Sequence, residues 1–396
     1  MVQELGPGAL LFKMDIKNAF RLLPIHPKDF DLLGFKFENN YYFDKCLPFG
    51  CSISCSTFEK FSTFLEYLVR KKANSKHVLH YLDDFLGGGR ASTNESQDLL
   101  NKFISCMRQL NVPLAEEKTE GPIEVLCFLG LELDSVNMVV RIPMDKVKEA
   151  VIKIEHILFK SRVTLREVQS VIGLLNFACR AVVTGRPFCR RLINAICGLS
   201  KPHHHLRVSG AMKADLQMWL TFLKDFNGVS VFHKQFWSTN NQLQLFSDSA
   251  EGEGLGFGVY YAGQWACAKW PTKWHTSGFT QDITFLEIFP IFVSLKIWGK
   301  NLSGSKLCFN CDNKAVVDIV NSMTSRNKNV MVVLRLITLT CLEHNIVIKA
   351  QHVPGTDNNI CDSLSRFQFQ RFRQVAPNAD VDPQPVPDEI WSIWAM

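Results

Sequence analysis

Residues 242–249 read QLQLFSDS, in which apolar and polar side chains alternate with the period of a half-buried strand as far as Asp248. Glycine-rich EGEGLGFG (251–258) then breaks the run ahead of a second strand, which makes it a hairpin connection rather than a dinucleotide loop, since no helix follows. KLCFNCDN (306–313) repeats the arrangement, with Asp312 closing a strand and a helix starting at once. Between and after them lie GFGVYYAG, QWACAKW, the apolar helix FLEIFPIFVSLKIW, the helical AVVDIVNSM and NVMVVLRLITLTCLEH, the strand VIKAQHV and a last helix after Asn358. Three strands in succession followed by alternating helices and strands define an α/β domain over residues 241–366.

Four carboxylates in this domain stand where they could meet. Asp248 and Asp312 end strands, Glu287 lies near the start of the apolar helix, and Asp362 opens the last helix after HVPGTDNN. Strand ends hold ligands on a rigid frame. Converging carboxylates repel unless cations lie between them, and oxygen-only ligands suit Mg²⁺ or Mn²⁺. Each also has a structural explanation. Glu287 fits the third position of a capping box begun by Thr284, with Pro290 implying a helix that starts later or bends. Asp312 and Asp362 fit the acidic preference of helix N-termini, and Asp248 a turn. The order FSDSA, TFLEIFPI, FNCDNKAVV, HVPGTDNNICDSLSR favours the joint reading, because it resembles the ribonuclease H domain of retroelement reverse transcriptases. That resemblance makes Asp248, Glu287, Asp312 and Asp362 the metal-binding and catalytic quartet. His352 takes the strand-end position, not the loop position of that family's histidine, and receives no catalytic role.

Upstream, LLFKMDIKN, GFKFENNYYFDKCL and HVLHYLDDFLGG read as strands. SCSTFEKFSTFLEYLVRKK places Phe58, Phe61, Phe64, Leu65 and Leu68 at helical spacing. FKMDIKNAF, LPFGCSISCSTFEKF and HYLDDFL follow the order of reverse transcriptase palm motifs, and FLGLELDSVNMVVRIP resembles the hairpin after the palm. The resemblance assigns Asp15, Asp83 and Asp84 to a second catalytic cluster holding two Mg²⁺. It places Phe20 against the 2′ position of an incoming nucleotide, Gly50 where backbone approaches template or base, and Lys118 near the triphosphate. Only 14 residues precede Asp15. The resemblance therefore implies that most of the fingers subdomain is missing, as in a truncated element copy, with polymerase activity weak or absent unless a longer product supplies it.

The 396 residues, 46 % hydrophobic and 21 % charged, exclude a disordered chain. Thirteen scattered cysteines point to a reducing, intracellular compartment, cytoplasm or nucleus, and no apolar run suits a membrane span or signal peptide. Cys308 and Cys311 read as packing residues, and His203 to His205 as a solvated turn. The net charge of +6 is unevenly spread: residues 146–240, helical in pattern, hold 15 basic against 5 acidic residues, as a polyanion-binding surface or a solvated helix face would.

The expected organisation is an α/β and α+β multidomain chain: a palm over 1–145, a helical thumb or connection over 146–240, a ribonuclease H-like mixed-sheet domain over 241–366 and a Pro-rich, extended tail over 367–396. The motif set is most similar to tyrosine-recombinase retrotransposons of the DIRS type. It implies hydrolysis of the RNA strand of RNA/DNA hybrids with two Mg²⁺ or Mn²⁺ per active site, and, in the full-length form, RNA-directed DNA polymerisation from an RNA template, DNA primer and deoxynucleoside triphosphates. The other expectations are a catalytically dead nucleic-acid-binding relic, or an unstable fragment.

Overall fold

The computed structural model describes residues 1–227, 237–238 and 243–392. The chain divides into two compact units, Met1–Pro143 and Met144–Met396. The expected boundary at residues 240/241 lies outside the described residues.

The N-terminal unit opens with the short α1 (Val2–Leu5) and β1 (Leu10–Asp15), followed by β2 (Gly34–Phe37) and β3 (Asn40–Phe43). It continues through α2 (Ser54–Ala73), β4 (Val78–Tyr81), β5 (Asp84–Gly89), α3 (Glu95–Gln109) and β6 (Glu120–Ile123). β7 (Val125–Phe128), β8 (Leu131–Asp134) and β9 (Val139–Arg141) complete it as a separate three-stranded antiparallel sheet. The central sheet has the order β4-β5-β1-β6. Phe12, Met14, Phe58, Leu65, Phe85 and Phe103 form the core beneath it. The glycine run ending β5 is what lets that core close. A Cβ on Gly87 would stand 2.1 Å from the Phe12 ring, and one on Gly89 would stand 2.3 Å from the Ser96 amide nitrogen of α3.

One reading of this region needs correction. Phe64 is exposed, because α2 buries the seam Phe58, Ser62, Leu65 and Val69, with small Ser62 taking the place a second aromatic would need. GFKFENNYYFDKCL forms strand as expected, a hairpin of β2 paired with β3 in which the residues of both strands face solvent.

The second unit begins with α4 (Met144–Phe159), β10 (Arg162–Thr164), α5 (Leu165–Ala178), α6 (Arg190–Ile196), β11 (His205–Arg207) and α7 (Gly210–Asp225). Then come β12 (Leu245–Ser249), β13 (Gly256–Tyr261), β14 (Gln264–Lys269), α8 (Thr272–Thr276), α9 (Ile283–Trp298), β15 (Lys306–Cys311), α10 (Lys314–Ser322), α11 (Lys328–Glu343), β16 (Val347–His352), α12 (Asn359–Ser365) and α13 (Phe369–Val375). The sheet order is β14-β13-β12-β15-β16. The first three strands form an antiparallel meander, whereas β12 with β15 and β15 with β16 run parallel. α9 is apolar on all sides and buries twelve of its sixteen residues, as a helix between a sheet and a second helix must.

α9 begins at Ile283, earlier than the capping-box reading allows. Asp282 caps it by accepting from the Phe285 amide at 3.1 Å, so Thr284 has no cap role, Glu287 falls in the second turn, and Pro290 sits within the helix. The tail is corrected too: it is not merely an extended segment. Phe372 and Ile390 are fully buried, Phe372 lies 5.0 Å from Trp265 between ring centroids, and Trp391 stacks on Phe289 at 5.8 Å. The Trp265 indole donates to the Asp380 carbonyl at 2.8 Å. Four prolines rigidify the path without preventing these anchors from packing.

Among the described residues, the helical stretch and the mixed sheet share one ionic connection. Asp215 of α7, 2 % exposed at its side chain, accepts from Arg191 at 2.9 Å and from Arg335 of α11 at 3.3 Å. Arg335 is the more buried guanidinium, with 13 % exposure. Asp215→Asn should therefore leave Arg335 uncompensated and cost about 3 kcal/mol in urea denaturation; an unchanged midpoint would show the triad to be energetically idle.

Candidate active sites

In the N-terminal unit the antiparallel register sets Asp15 at the end of β1 directly opposite Asp84 at the start of β5. Leu82, at φ +53°, and Asp83 form the turn between β4 and β5, and the Asp83 carbonyl accepts from the Ile16 amide at 3.0 Å. The three carboxylates line one cleft of about 730 Å³ together with Lys13, Lys118 and Glu120. Lys118 Nζ donates to Asp15 Oδ2 at 2.8 Å, a cation already standing beside the carboxylate. Burial, with the charges of Asp83 and Asp15, raises the Asp84 carboxyl above its ordinary value.

Phe20 and Gly50 do not line this cleft. The Phe20 ring packs edge-on against Phe49 at 5.4 Å and Phe58 at 5.2 Å, supporting α2. Gly50 has φ +86° with no atom near its missing Cβ, so backbone conformation alone accounts for the glycine. Lys13 and Glu120, paired at 2.7 Å, are cleft residues that sequence reasoning missed; their face of the sheet becomes legible only once β6 is known to join β1.

The raised Asp84 value has a thermodynamic consequence. A carboxyl raised in the folded state supports folding at low pH and withdraws that support as pH climbs from about 4 through the raised value. A divalent cation should reverse the loss at neutral pH, adding about 2.7 kcal/mol at a hundred times its Kd. Hydrogen-exchange protection of β1 and β5 should rise with added Mg²⁺ in the wild type and not in Asp15→Asn. Equal responses in the two proteins would exclude a cation at these carboxylates.

In the second unit, β12 and β15 run parallel as neighbours and deliver Asp248 and Asp312 from the same end of the sheet, over which Glu287 of α9 lies. Among the described residues, the group of metal-ligating side chains whose donor atoms all fall within 4.8 Å of one another is Glu287, Cys311 and Asp312. Asp248 and Asp362 lie outside that span, so the four expected carboxylates do not form one equally tight cluster. Asp248 is held by the Ser365 hydroxyl at 2.7 Å and the Asn358 amide at 3.3 Å. Both Asp362 oxygens are taken by guanidinium groups, Arg366 at 2.7 Å and Arg371 at 2.6 Å. The Asp362–Arg366 spacing of four residues on α12 is visible in the sequence, whereas Arg371 arrives from α13.

Gly258 makes this approach possible. Paired with Asp248 across β12 and β13, it would place a Cβ 2.4 Å from that of Leu364 and 2.8 Å from the Cys361 carbonyl oxygen, so only glycine lets α12 settle onto the strand.

The electrostatics separate the carboxyls. Burial pushes Asp248 up to about 7, with Ser365 opposing and the charges of Asp312 and Asp362 reinforcing the rise. Burial, together with Asp248 and Asp312, holds Glu287 well above the carboxylate range, against the opposing influence of the nearby Ser249 hydroxyl. Burial also opposes ionisation of Asp362, but Arg366 and Arg371 outweigh it and lower its value. His352 ends β16 directly across from Cys311 and is not a member of the tight group.

Comparison with known proteins bears on the N-terminal unit. Residues 2–133 match the family model described as reverse transcriptase (RNA-dependent DNA polymerase). That N-terminal unit is a reverse transcriptase domain, and its relatives are the Pol proteins of retroviruses and retroelements. The chain is 24 % identical over 220 residues to the Gag-Pro-Pol polyprotein of Mason-Pfizer monkey virus, covering 53 % of this chain and 12 % of that protein. It is 20 % identical over 390 residues to the retrovirus-related Pol polyprotein from transposon 412 of Drosophila melanogaster, covering 96 % and 28 %. The chain thus spans little more than a quarter of these relatives at most. In fold it is similar to a foamy viral protease-reverse transcriptase solved in complex with double-stranded DNA, with a TM-score of 0.50, 15 % identity, and coverage of 87 % of this chain and 57 % of that one. No helix among the described residues is long and apolar enough to cross a membrane.

Proposed function

We propose that this chain is the polymerase and nuclease portion of a retroelement Pol protein, in which a reverse transcriptase domain is followed by a ribonuclease H-like domain that hydrolyses the RNA strand of RNA/DNA hybrids. The observation that carries the nuclease reading is the pairing of Glu287 with Asp312 at the end of a mixed sheet. Glu287 is only 6 % exposed, and its Oε2 has no hydrogen-bond partner among the described residues. An orphaned carboxylate oxygen beside a second carboxyl is an arrangement that a divalent cation completes. Mg²⁺ or Mn²⁺ held there would activate the attacking water and stabilise the leaving 3′-oxygen, giving 5′-phosphate and 3′-hydroxyl ends.

The chain's own residues set the rest. Ser365 and Asn358 fix the orientation of Asp248, and Arg366 and Arg371 present a positive face beside Asp362 that suits a phosphate backbone. In the N-terminal unit, Asp15, Asp83 and Asp84 would hold the cations of nucleotidyl transfer, and Lys118, released from Asp15, would meet the triphosphate. Phe20 would govern discrimination against ribonucleotides through its packing on α2, and Gly50 would shape the adjoining backbone. The DIRS-type affiliation rests on the C-terminal motifs, and the intended partners are an RNA template, a DNA primer and their hybrid.

The test is cleavage of a labelled RNA/DNA hybrid by the purified chain with Mg²⁺, using duplex DNA as control. Hybrid-specific cutting supports the proposal. One observation favours a second reading, a non-catalytic nucleic-acid-binding relic: cationic side chains already neutralise Asp15 and Asp362. A folded chain that binds hybrid equally with and without Mg²⁺ at matched ionic strength, and cuts nothing, would establish that reading instead.

A further inference from the structure

We propose that Glu287, Cys311 and Asp312 form a mixed oxygen and sulfur site for a soft divalent cation of the Zn²⁺ or Cd²⁺ class, which competes with Mg²⁺ at the nuclease centre. The proposal rests on the reading of Glu287 and Asp312 as metal ligands, and goes beyond it in giving the site a thiol. Adjacent residues in a strand ordinarily point to opposite faces. Cys311, however, is the last residue of β15, and the Asn313 amide folds back to donate to its Sγ at 3.4 Å. The chain turns there, and the Cys311 sulfur and the Asp312 carboxylate reach the same point, within 4.8 Å of each other and of a Glu287 oxygen.

Two features separate this group from incidental proximity. Cys311 is 1 % exposed, so its sulfur is committed to the interior side of the site. Glu287 is buried too, and its Oε2 has no hydrogen-bond partner among the described residues, although the Ser249 hydroxyl lies near the carboxyl. A carboxylate oxygen so placed needs a cation or a proton donor to offset the loss of water. Oxygen-only sets suit Mg²⁺, and a thiolate shifts preference toward Zn²⁺ and its congeners. Three protein ligands with a fourth position open is the arrangement of a reactive zinc site, whose ligand atoms lie about 3.5 Å apart; the present spacing reaches that by contracting about 1 Å. Binding would replace the thiol proton by the metal and release that proton to solvent.

The experiment is a Co²⁺ titration of the full chain, followed by the sulfur-to-cobalt charge-transfer absorption in the near ultraviolet and then by displacement with Zn²⁺. Wild type should show a saturable band that Cys311→Ser lacks and Cys308→Ser keeps; Cys308 serves as the control because its sulfur instead faces Gln351 at 3.8 Å. Asp312→Asn, which leaves the thiol in place, should weaken cobalt binding at that band by at least about tenfold, the loss that attends removal even of an outer-shell partner. Zn²⁺ should also inhibit Mg²⁺-supported hybrid cleavage, at least about tenfold less effectively in Cys311→Ser when each protein is compared with its own magnesium rate. A near-ultraviolet band unchanged in Cys311→Ser, or unaffected by Asp312→Asn, overturns the site. The band without cleavage leaves the site standing and defeats the nuclease reading; cleavage without the band does the reverse.

Discussion

Asp312→Asn is expected to reduce cleavage of an RNA/DNA hybrid by on the order of a thousandfold or more, while the metal-free protein becomes no less stable. The second half of this expectation distinguishes a catalytic carboxylate from a structural one. Asp312 makes no ion pair among the described residues; its charge raises the Asp248 and Glu287 carboxyls, both buried. Removing that charge relieves repulsion. The adjacent helix keeps its cap, because Asn313, not Asp312, accepts from the Ala315 and Val316 amides at 3.0 and 3.2 Å. A cleavage gel and a thermal melt on the same preparations decide the matter. Lost activity with an equal or higher melting temperature places Asp312 in the chemistry, whereas a variant that still cuts at the wild-type rate removes it.

Ending the chain at residue 375 is expected to destabilise the second unit by about 4 to 8 kcal/mol, most of the stability of an ordinary domain. The deletion strips Ile390 and Trp391 from an aromatic cluster containing Phe257, Trp274 and Phe289. It also leaves the Trp265 indole without its Asp380 acceptor and takes away the Gln384 amide that donates to the Trp265 carbonyl at 2.7 Å. Urea denaturation followed by tryptophan fluorescence should show a transition moved to much lower denaturant or absent under native conditions. A midpoint within error of the full chain would mean that the tail merely lies on the surface.

The acid-bearing strand ends were legible in the sequence because alternation ran up to Asp248 and Asp312 and glycine or a helix followed. The turn that carries Asp83 and leads into Asp84 was legible for a related reason: strand-forming residues flank it on both sides. What escaped depends on contacts between distant residues. Composition describes 376–390 as proline-rich, but one isoleucine within it and the tryptophan just beyond decide whether it packs, and their pocket is made by α9 and β13. Phe64 matched the helical period, yet α3 and β4 select a seam one position away. Cys311 reads as a packing residue because its CxxC has no second pair at zinc spacing, and it is indeed buried in the core; what spacing does not reveal is that its sulfur also comes within 4.8 Å of Asp312 and Glu287, where the chain turns after the last residue of the strand. Arg371 reaches Asp362 across a helix junction that no spacing rule anticipates.

The Asp215 triad also determines what can be cut from this chain and still work. An expression boundary drawn at residue 241, on the evidence of motifs alone, would retain Arg335 on α11 and discard its carboxylate with α7. The face of α11 that packs on the helical segment, where Arg335 lies over the Phe188 ring at 5.7 Å, would then be stripped of its cover. The portable unit is accordingly the whole of Met144–Met396. Any transplant of the mixed-sheet module into another chain would have to carry the helical segment along.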